Sequence, residues 1–214
     1  AGVQQGVVDI KLTSEDGYTE SIPLPKAMEP RTLLVYDMNG EPLTYKHGAP
    51  LRLLVPNIYG MKNAKWITSI EAVAEDFKGY WQRQGWSDVA TYQTMSQLRA
   101  PGGQTRVVEG QSTEVGGIAF AGSRGIQKVE WSADGGRSWR EAELLPELTE
   151  VDTWRFWQAE WTPEQAGNAT LMVRATDGEG RTQTDEQNPT LPDGATGYHS
   201  LEVRVTAPEP ATGG

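Results

Sequence analysis

Apolar and polar residues alternate over several short segments in the first half of the chain, and this pattern favours β-strands. Asn39-Gly40 predicts a hairpin turn, because this dipeptide adopts the backbone conformation that tight hairpins need. The segment 22–25 contains two prolines and is expected to be extended, and Lys26-Ala27-Met28 can open a short helix. The predicted strands of this half are 7–12, 33–38, 51–55 and 66–73.

A polar stretch, 84–105, contains Gly85, Pro101, Gly102 and Gly103, and its composition is typical of a linker. Beyond it, short apolar strands recur at regular spacing with Gly or Asp turns between them, which is the pattern of an antiparallel sandwich. The predicted strands here are 106–109, 114–120, 126–132, 138–144, 154–161, 169–176 and 198–205.

Two regions follow from these patterns. Residues 1–95 are predicted to form an α+β domain, and residues 96–207 an all-β sandwich. The tail, 208–214, is rich in Pro, Gly and Ala and is expected to be disordered. Charge is divided unevenly, with 9 basic and 11 acidic side chains in 1–95 against 10 and 18 in 96–214, so the sandwich is the more acidic part.

Composition excludes several classes of protein. The 214 residues include no Cys, so a disulfide scaffold, a thiolate metal site and a cysteine nucleophile are all excluded from this sequence. The formal net charge of −10, without any basic block, argues against nucleic-acid binding and against an anionic membrane surface. No apolar run approaches the roughly 18 residues that a membrane span needs.

One stretch departs from this acidic background. From Pro42 to Ile70 there is no Asp or Glu, so its cations form a candidate anion site, and a phosphate suits the forked donors of an arginine. An alternative stays open, in which Arg52 pairs with a distant carboxylate and the lysines are simply solvated. A metal site built on His47 and His199 has no support from their spacing. The basic residues of the stretch are Lys46, His47, Arg52, Lys62 and Lys65.

Several motifs lie in and around this stretch: Met38–Leu43, His47–Arg52, Val55-Pro56, Gly60, Lys65-Trp66 and Tyr80–Gln82. Their order and spacing resemble those of the molybdopterin domain of the sulfite oxidase family. Further motifs follow in the second half: Gly116–Gly122, Val129–Trp139, Trp154–Trp157 and Arg174–Asp177. These resemble the immunoglobulin-like dimerisation domain of the same family.

The resemblance implies a homodimeric enzyme in which the pterin holds molybdenum through a dithiolene and the metal carries oxygen-atom and electron transfer. It implies that this chain supplies the C-terminal part of the molybdopterin domain and the dimerisation domain, with a separate electron-transfer partner possible. It assigns no catalytic or metal-ligating residue to the chain. The cofactor-binding positions that it assigns are Asp16, His47, Arg52, Asn63, Ala64 and Lys65.

Two departures from the family pattern shape the functional expectation. The Cys that ligates molybdenum in the family lies upstream of the matched region, so we expect that half of the domain to be missing here and this chain to be inactive alone. Two positions that contact the substrate anion, a Tyr and an Arg in true sulfite oxidases, correspond to Trp86 and to the neighbourhood of Leu191, which puts sulfite in doubt as the substrate. The resemblance is to a divergent bacterial branch, for which a periplasmic or otherwise exported location is expected.

A second class of function stays open beside the enzyme: a non-enzymatic binding or assembly module built on the same scaffold. Ser132–Trp139 has the pattern of an Asp-box hairpin, in which Asp and two Gly fix a tight turn, as in carbohydrate-associated β proteins. A propeller would repeat such a box, and this chain has one copy, so a structural turn is the preferred interpretation. The five tryptophans of the sandwich exceed what one core requires, so some are candidates for a dimer interface, while core packing is expected for most. In Trp154–Trp157, Trp154 and Phe156 are predicted to point one way and Arg155 and Trp157 the other, with one face in the core.

Overall fold

A computed structural model describes residues 2–103, 105–147 and 152–209 of the chain. It divides them into two compact units. Unit 1 runs to Tyr92 and also includes Thr190–Gly194, and unit 2 comprises Gln93–Pro189 and the chain from Ala195 onward. The described residues contain no helix with the length and apolar character needed to cross a membrane.

Unit 1 is built on a three-stranded antiparallel sheet with the order β2-β1-β7. Two small hairpin-like pairs, β3 with β6 and β4 with β5, accompany this sheet, and the β4–β5 turn is the predicted Asn39-Gly40 turn. Its strands are β1 (Asp9–Ser14), β2 (Thr19–Pro23), β3 (Leu33–Val35), β4 (Asp37–Met38), β5 (Glu41–Pro42), β6 (Arg52–Leu54) and β7 (Ile67–Val73).

The expectation of an α+β domain over residues 1–95 is wrong, because this region is almost entirely strands, loops and single turns. The one α-helix of the described residues, α1 (Leu24–Ala27), has four residues and begins two positions before the predicted helix start. The short helical pieces that remain in unit 1 are 3-10 turns, Tyr45–His47, Gly60–Lys62 and Gln82–Gln84. Pro and Gly interrupt residues 22–60 too often for a long helix, and the run without them, 61–78, contains the β-branched residues of β7, which favour a strand.

A small apolar core holds unit 1 together. It joins the inner face of the three-stranded sheet to the segment that runs from β6 to β7, so this segment is fixed against the sheet although it is largely irregular. Its buried members are Leu12, Ile22, Leu53, Val55, Ile58, Ala64 and Ile67.

Unit 2 is a two-layer β-sandwich, as the strand spacing predicts. One sheet has the order β13-β14-β10-β8 and the other β12-β11-β15-β16-β9, and all pairs are antiparallel except β9 with β16. The predicted strand 138–144 is divided into two short strands. The strands are β8 (Met95–Ala100), β9 (Val107–Val108), β10 (Thr113–Phe120), β11 (Ile126–Ser132), β12 (Arg140–Glu141), β13 (Glu143–Leu144), β14 (Arg155–Trp161), β15 (Gly167–Asp177) and β16 (His199–Thr206).

The predicted linker 84–105 is partly wrong, because it contains β8, an edge strand of the first sheet. Ser96 and Leu98 are buried while Gln97 and Arg99 point outward. Because β8 has only one large apolar residue that faces the core, its alternation of apolar and polar residues is too weak to predict a strand from the sequence.

The two sheets of unit 2 share one core, which contains Trp131, Trp157 and Trp161. Trp157 is buried whereas Phe156 is exposed, in line with the alternation predicted for this strand. The Asp-box segment forms a tight turn in which Gly135 and Gly136 have positive φ angles. Of the predicted disordered tail, residues 210–214 lie outside the described part of the chain.

Candidate functional site

A depression of about 260 Å³ opens on unit 1 where the turn after β1 meets the segment that precedes β7. Four of the six predicted cofactor-binding residues line it, Asp16, Asn63, Ala64 and Lys65. The site therefore combines a carboxylate, a cation and aromatic walls. The other lining residues are Ser14, Tyr18, Gly60, Met61, Trp66 and Trp81.

Asp16 lies in the tight turn between β1 and β2. Its Oδ1 accepts a hydrogen bond of 3.0 Å from the backbone N–H of Tyr18, which is the local turn bond that short Asx side chains favour. The Asp16 side chain is exposed, so its second carboxylate oxygen is available at the rim of the depression.

Asn63 and Ala64 are held in place by hydrogen bonds to the backbone of the segment around β6. The Asn63 Oδ1 accepts a bond of 2.6 Å from the backbone N–H of Val55, and the Ala64 carbonyl accepts one of 2.8 Å from the N–H of Leu53. Ala64 is buried. These two residues therefore shape the wall of the depression mainly by their backbone.

A cationic cluster, defined here as Lys46, His47, Arg52 and Lys65, lies next to the depression. Arg52 Nη1 donates to the His47 carbonyl at 3.1 Å, and Lys65 Nζ donates to the Lys46 carbonyl at 2.9 Å. Within the described ranges, no carboxylate lies within ion-pairing distance of any member of the cluster. Backbone carbonyls thus hold the side chains of Arg52 and Lys65 in place without neutralising their charge.

Gly48 allows the two cationic side chains to lie side by side. Its φ of +108° falls in a region that side-chain-bearing residues rarely adopt. A Cβ at this position would lie 2.9 Å from Lys65 Cγ and 3.1 Å from Arg52 Cβ. The close approach of Arg52 and Lys65 at this point requires glycine.

Trp66 follows Lys65 with a φ of +53°, which is unusual for a bulky residue. Its ring stacks on Tyr45 with a centroid distance of 5.2 Å, and its Nε1 donates to the Tyr45 carbonyl at 2.8 Å. Lys65 Nζ lies 5.8 Å from the centre of the Trp66 ring. Backbone strain of this kind persists where surrounding contacts enforce it, and such positions concentrate at functional sites.

Lys62 does not belong to the anion site, although it lies in the acid-free stretch. Its side chain is 1% exposed and lies 3.1 Å from the Glu20 carboxylate and 2.8 Å from that of Asp88. It serves as an internal ion-pair partner beneath the depression. The alternative in which Arg52 meets a carboxylate is not what the structure shows, since the bond of Arg52 goes to a carbonyl.

Tyr18 connects the buried ion pair to the wall of the depression. Its hydroxyl lies 3.0 Å from Glu20 Oε2 and 2.5 Å from the Met61 carbonyl. Burial, followed by the neighbouring Glu20 carboxylate, raises the pKa of Tyr18 far above its ordinary value, so this phenol stays protonated. Tyr18, Met61 and Ser14 were not predicted as site residues; for Tyr18 the only signal in the sequence is its place two residues after Asp16.

Two buried polar atoms near the site have no hydrogen-bond partner, Arg52 Nε and Ser14 Oγ. Buried donors of this kind are usually satisfied, so their presence beside uncompensated cations indicates a place for an anionic, polar group. The residues present therefore fit a phosphate-bearing heterocycle. The described residues contain no group of three or more His, Cys, Asp or Glu that could hold a metal ion.

The two positions that the family resemblance assigns to the substrate anion are close neighbours within unit 1. A Cβ on Gly85, next to Trp86, would lie 3.6 Å from Leu191 Cδ2, and Ser87 donates a backbone bond of 3.0 Å to the Pro192 carbonyl. The Trp86 ring lies edge-on to Trp81, with centroids 6.1 Å apart. The indole of Trp86 thus lies beside Trp81, which lines the depression, and Leu191 lies beside the residue that precedes this indole.

Comparison with known proteins identifies both units. Residues 1–81 match the oxidoreductase molybdopterin binding domain and residues 88–204 the Mo-co oxidoreductase dimerisation domain. Mitochondrial sulfite oxidase of Mus musculus is 32% identical over 195 residues, which cover 80% of this chain and 36% of that protein. The chain belongs to the sulfite oxidase family of molybdopterin oxidoreductases.

A second relative and one solved structure are also similar to this chain. Sulfite oxidase of Arabidopsis thaliana is 29% identical, with coverage of 78% of this chain and 50% of that protein. The crystal structure of the sulfane dehydrogenase SoxCD from Paracoccus pantotrophus has the same fold, with a TM-score of 0.76 at 21% identity over 95% of this chain and 57% of that one. The chain spans about a third to a half of the curated relatives it matches.

Proposed function

We propose that this chain provides part of the pterin and phosphate site of a molybdopterin-dependent oxidoreductase. The observation that carries the proposal is the cationic cluster, whose donors are held by backbone carbonyls and whose charge no described carboxylate compensates. In an acidic protein, such a cluster favours binding of an anion, and forked guanidinium donors suit a phosphate.

Each predicted residue then has a role at this site. Arg52 and Lys65 bind the phosphate, and the unpartnered Arg52 Nε is the donor that gains a partner on binding. His47, exposed on the 3-10 turn beside them, lies where it can add a further contact. Asp16 accepts N–H donors of the pterin, and Asn63 and Ala64 form the wall. The bound cofactor would supply the oxidation–reduction chemistry, while these residues bind and orient it.

The part of the domain that would carry the molybdenum-ligating Cys is proposed to lie outside this sequence, so the chain alone is inactive. The matched relatives extend well beyond the aligned region, and this sequence contains no Cys. Unit 1 also exposes apolar side chains along the β3–β6 pair, where Leu33 and Leu54 lie opposite each other and Leu34 is exposed beside them. An apolar surface of this kind fits against further polypeptide.

The substrate is proposed to differ from sulfite. The positions at which the family resemblance expects a Tyr and an Arg correspond to Trp86 and the neighbourhood of Leu191, and neither an indole nor a Leu side chain provides the positive charge that a small divalent anion needs. Absence of sulfite turnover by the intact, cofactor-loaded protein is the expected result, and efficient turnover would contradict this part of the proposal.

Unit 2 is proposed to form a homodimer through the outer face of its four-stranded sheet. Trp154 is 51% exposed and Phe156 41% exposed on this face, and the Phe120 ring stacks on Trp154 with centroids 6.3 Å apart. Exposed aromatic residues are typical of interface centres, and the domain match names dimerisation. An immunoglobulin-like arrangement of the sandwich, an exported location in a bacterium and a separate electron-transfer partner remain predictions of the resemblance.

Molybdenum and pterin content of the intact native protein tests the proposed function. We expect about one molybdenum and one pterin per native molecule, and none in the 214-residue chain alone. Lys65→Met should reduce pterin content, whereas Lys26→Met, which removes a lysine paired with Glu29 on the surface, should leave it unchanged. An intact protein without molybdenum or pterin would refute the proposal and favour the non-enzymatic assembly module.

A further inference from the structure

The hydroxyl of Ser14 is a buried polar group without a partner at the edge of the depression. Ser14 is 4% exposed, and its Oγ forms no hydrogen bond. A buried hydroxyl without a hydrogen-bond partner is destabilising, so such groups are rare unless something else pairs with them.

The position of Ser14 is set by its backbone. Its N–H donates to the Tyr18 carbonyl at 2.9 Å, and its carbonyl accepts from the Gly17 N–H at 3.0 Å. The pairing of β1 with β7 shifts register between Thr13 and Ser14, at the last residue of β1. The bulge and the turn together fix the site of the side chain, while the hydroxyl contributes no hydrogen bond to the fold.

The surroundings of Ser14 specify the kind of group that would pair with it. The depression that it lines also contains Asp16, which only accepts hydrogen bonds, and Lys65, which only donates them. A serine hydroxyl can do both. A pterin ring presents amine donors and carbonyl or ring-nitrogen acceptors along one edge, so it can use an acceptor and a bifunctional hydroxyl placed two residues apart.

We propose that Ser14 is a further cofactor-binding residue, whose hydroxyl hydrogen-bonds to the polar edge of the pterin beside Asp16. This inference rests on the proposed function, because it assigns the pterin to the same depression. Ser14 acts in binding and orientation and takes no part in the redox step.

Ser14→Ala in the intact protein tests this role, with Ser21→Ala as the matched control. Ser21 is also buried, but its hydroxyl donates to the Phe77 carbonyl at 2.6 Å, so it stabilises the fold. For Ser14→Ala we expect pterin to dissociate about tenfold faster, as one lost hydrogen bond predicts, with no loss of thermal stability in the cofactor-free form. For Ser21→Ala we expect the reverse: a lower melting temperature and an unchanged dissociation rate well below it.

The outcomes separate the two proposals. Pterin release from Ser14→Ala at the wild-type rate would overturn the assignment of Ser14 while leaving the proposed function intact. A loss of cofactor-free stability as large as that of Ser21→Ala would also overturn it, because the hydroxyl would then be structural. If the wild-type protein retains no pterin, the proposed function fails, and the assignment of Ser14 fails with it.

Discussion

Lys62→Met is expected to destabilise unit 1 strongly, because it removes one partner of a fully buried ion pair. Lys62 and Glu20 have 1% and 0% exposed side chains and lie 3.1 Å apart. The same ammonium donates to the Ser21 carbonyl at 3.0 Å and to Asp88 at 2.8 Å. Methionine fills a similar volume but offers none of these donors, so the Glu20 carboxylate loses its counter-charge.

Breaking a buried pair from one side typically costs about 3–5 kcal/mol. The lower end applies here, because Glu20 keeps two donors, the Tyr18 hydroxyl at 3.0 Å and the Ser21 N–H at 2.9 Å. We therefore expect a loss of about 3 kcal/mol in the free energy of unfolding of unit 1. For a unit of this size, that corresponds to a fall of roughly 12–24 °C in its melting temperature.

Urea unfolding of the intact protein measures the loss in the free energy of unfolding, and peptide-resolved hydrogen exchange shows whether this loss is confined to unit 1. Lys78→Met is the control, since Lys78 pairs with Asp76 and Asp88 at the surface and its side chain is 43% exposed. The control should lose less than about 1 kcal/mol. If Lys62→Met loses no more than Lys78→Met, the reasoning is refuted; if Glu20→Gln combined with Lys62→Met recovers part of the loss, the uncompensated carboxylate is confirmed as its cause.

Three further outcomes are expected. Gly48→Ala should lower the free energy of unfolding of unit 1 by about 1–2 kcal/mol, because alanine disfavours the positive φ of this position. The added methyl group should also displace Lys65 and so reduce the pterin content of the intact protein. A normal pterin content would show that the Lys65 side chain tolerates the methyl group. Burial alone would raise the pKa of Asp88, but the hydrogen bonds from Lys62 and Lys78 have a larger combined effect and lower this pKa. The ionised Asp88 therefore stabilises the fold fully at pH values above the pKa of an unfolded Asp, about 3.9, and this stabilisation disappears as the pH falls through the lower pKa of the folded state. Asp88→Asn should consequently make the free energy of unfolding less dependent on pH in the acidic range. Trp154→Ala should shift the intact protein toward monomer in analytical ultracentrifugation, and an unchanged dimer would exclude this face.

The strands of the sandwich could be predicted because their spacing and turns are local properties of the sequence. β8 was missed for a physical reason: only Leu98 and Ser96 face the core, and an edge strand with one large apolar residue has almost the composition of a loop. The α+β expectation is wrong for a different reason: Pro and Gly interrupt residues 22–60, where the helix has only four residues, and the run without them, 61–78, contains the strand β7.

The cofactor-binding role of the six site residues stays a prediction of the family resemblance; the structure shows that four of them, Asp16, Asn63, Ala64 and Lys65, line one depression. Sequence alone could not separate Lys62 from the other cations, since its partners Glu20 and Asp88 are distant along the chain and meet it only in the folded unit. Ser14 could not be found at all, because the lack of a hydrogen-bond partner is a property of the folded structure and not of a residue pattern.

The contrast between Lys62 and the cationic cluster shows how an acidic protein can leave the charge of a candidate anion site uncompensated. Lys62 is buried with carboxylates, so its charge is cancelled and it serves stability. Arg52 and Lys65 are anchored by the carbonyls of His47 and Lys46, which fix the geometry of the two side chains but leave two full positive charges uncompensated. A carboxylate in place of either carbonyl would hold the side chain as firmly and would compete with a phosphate for it. The lack of Asp and Glu between Pro42 and Ile70 is therefore what allows the charge of the cluster to remain available for a ligand.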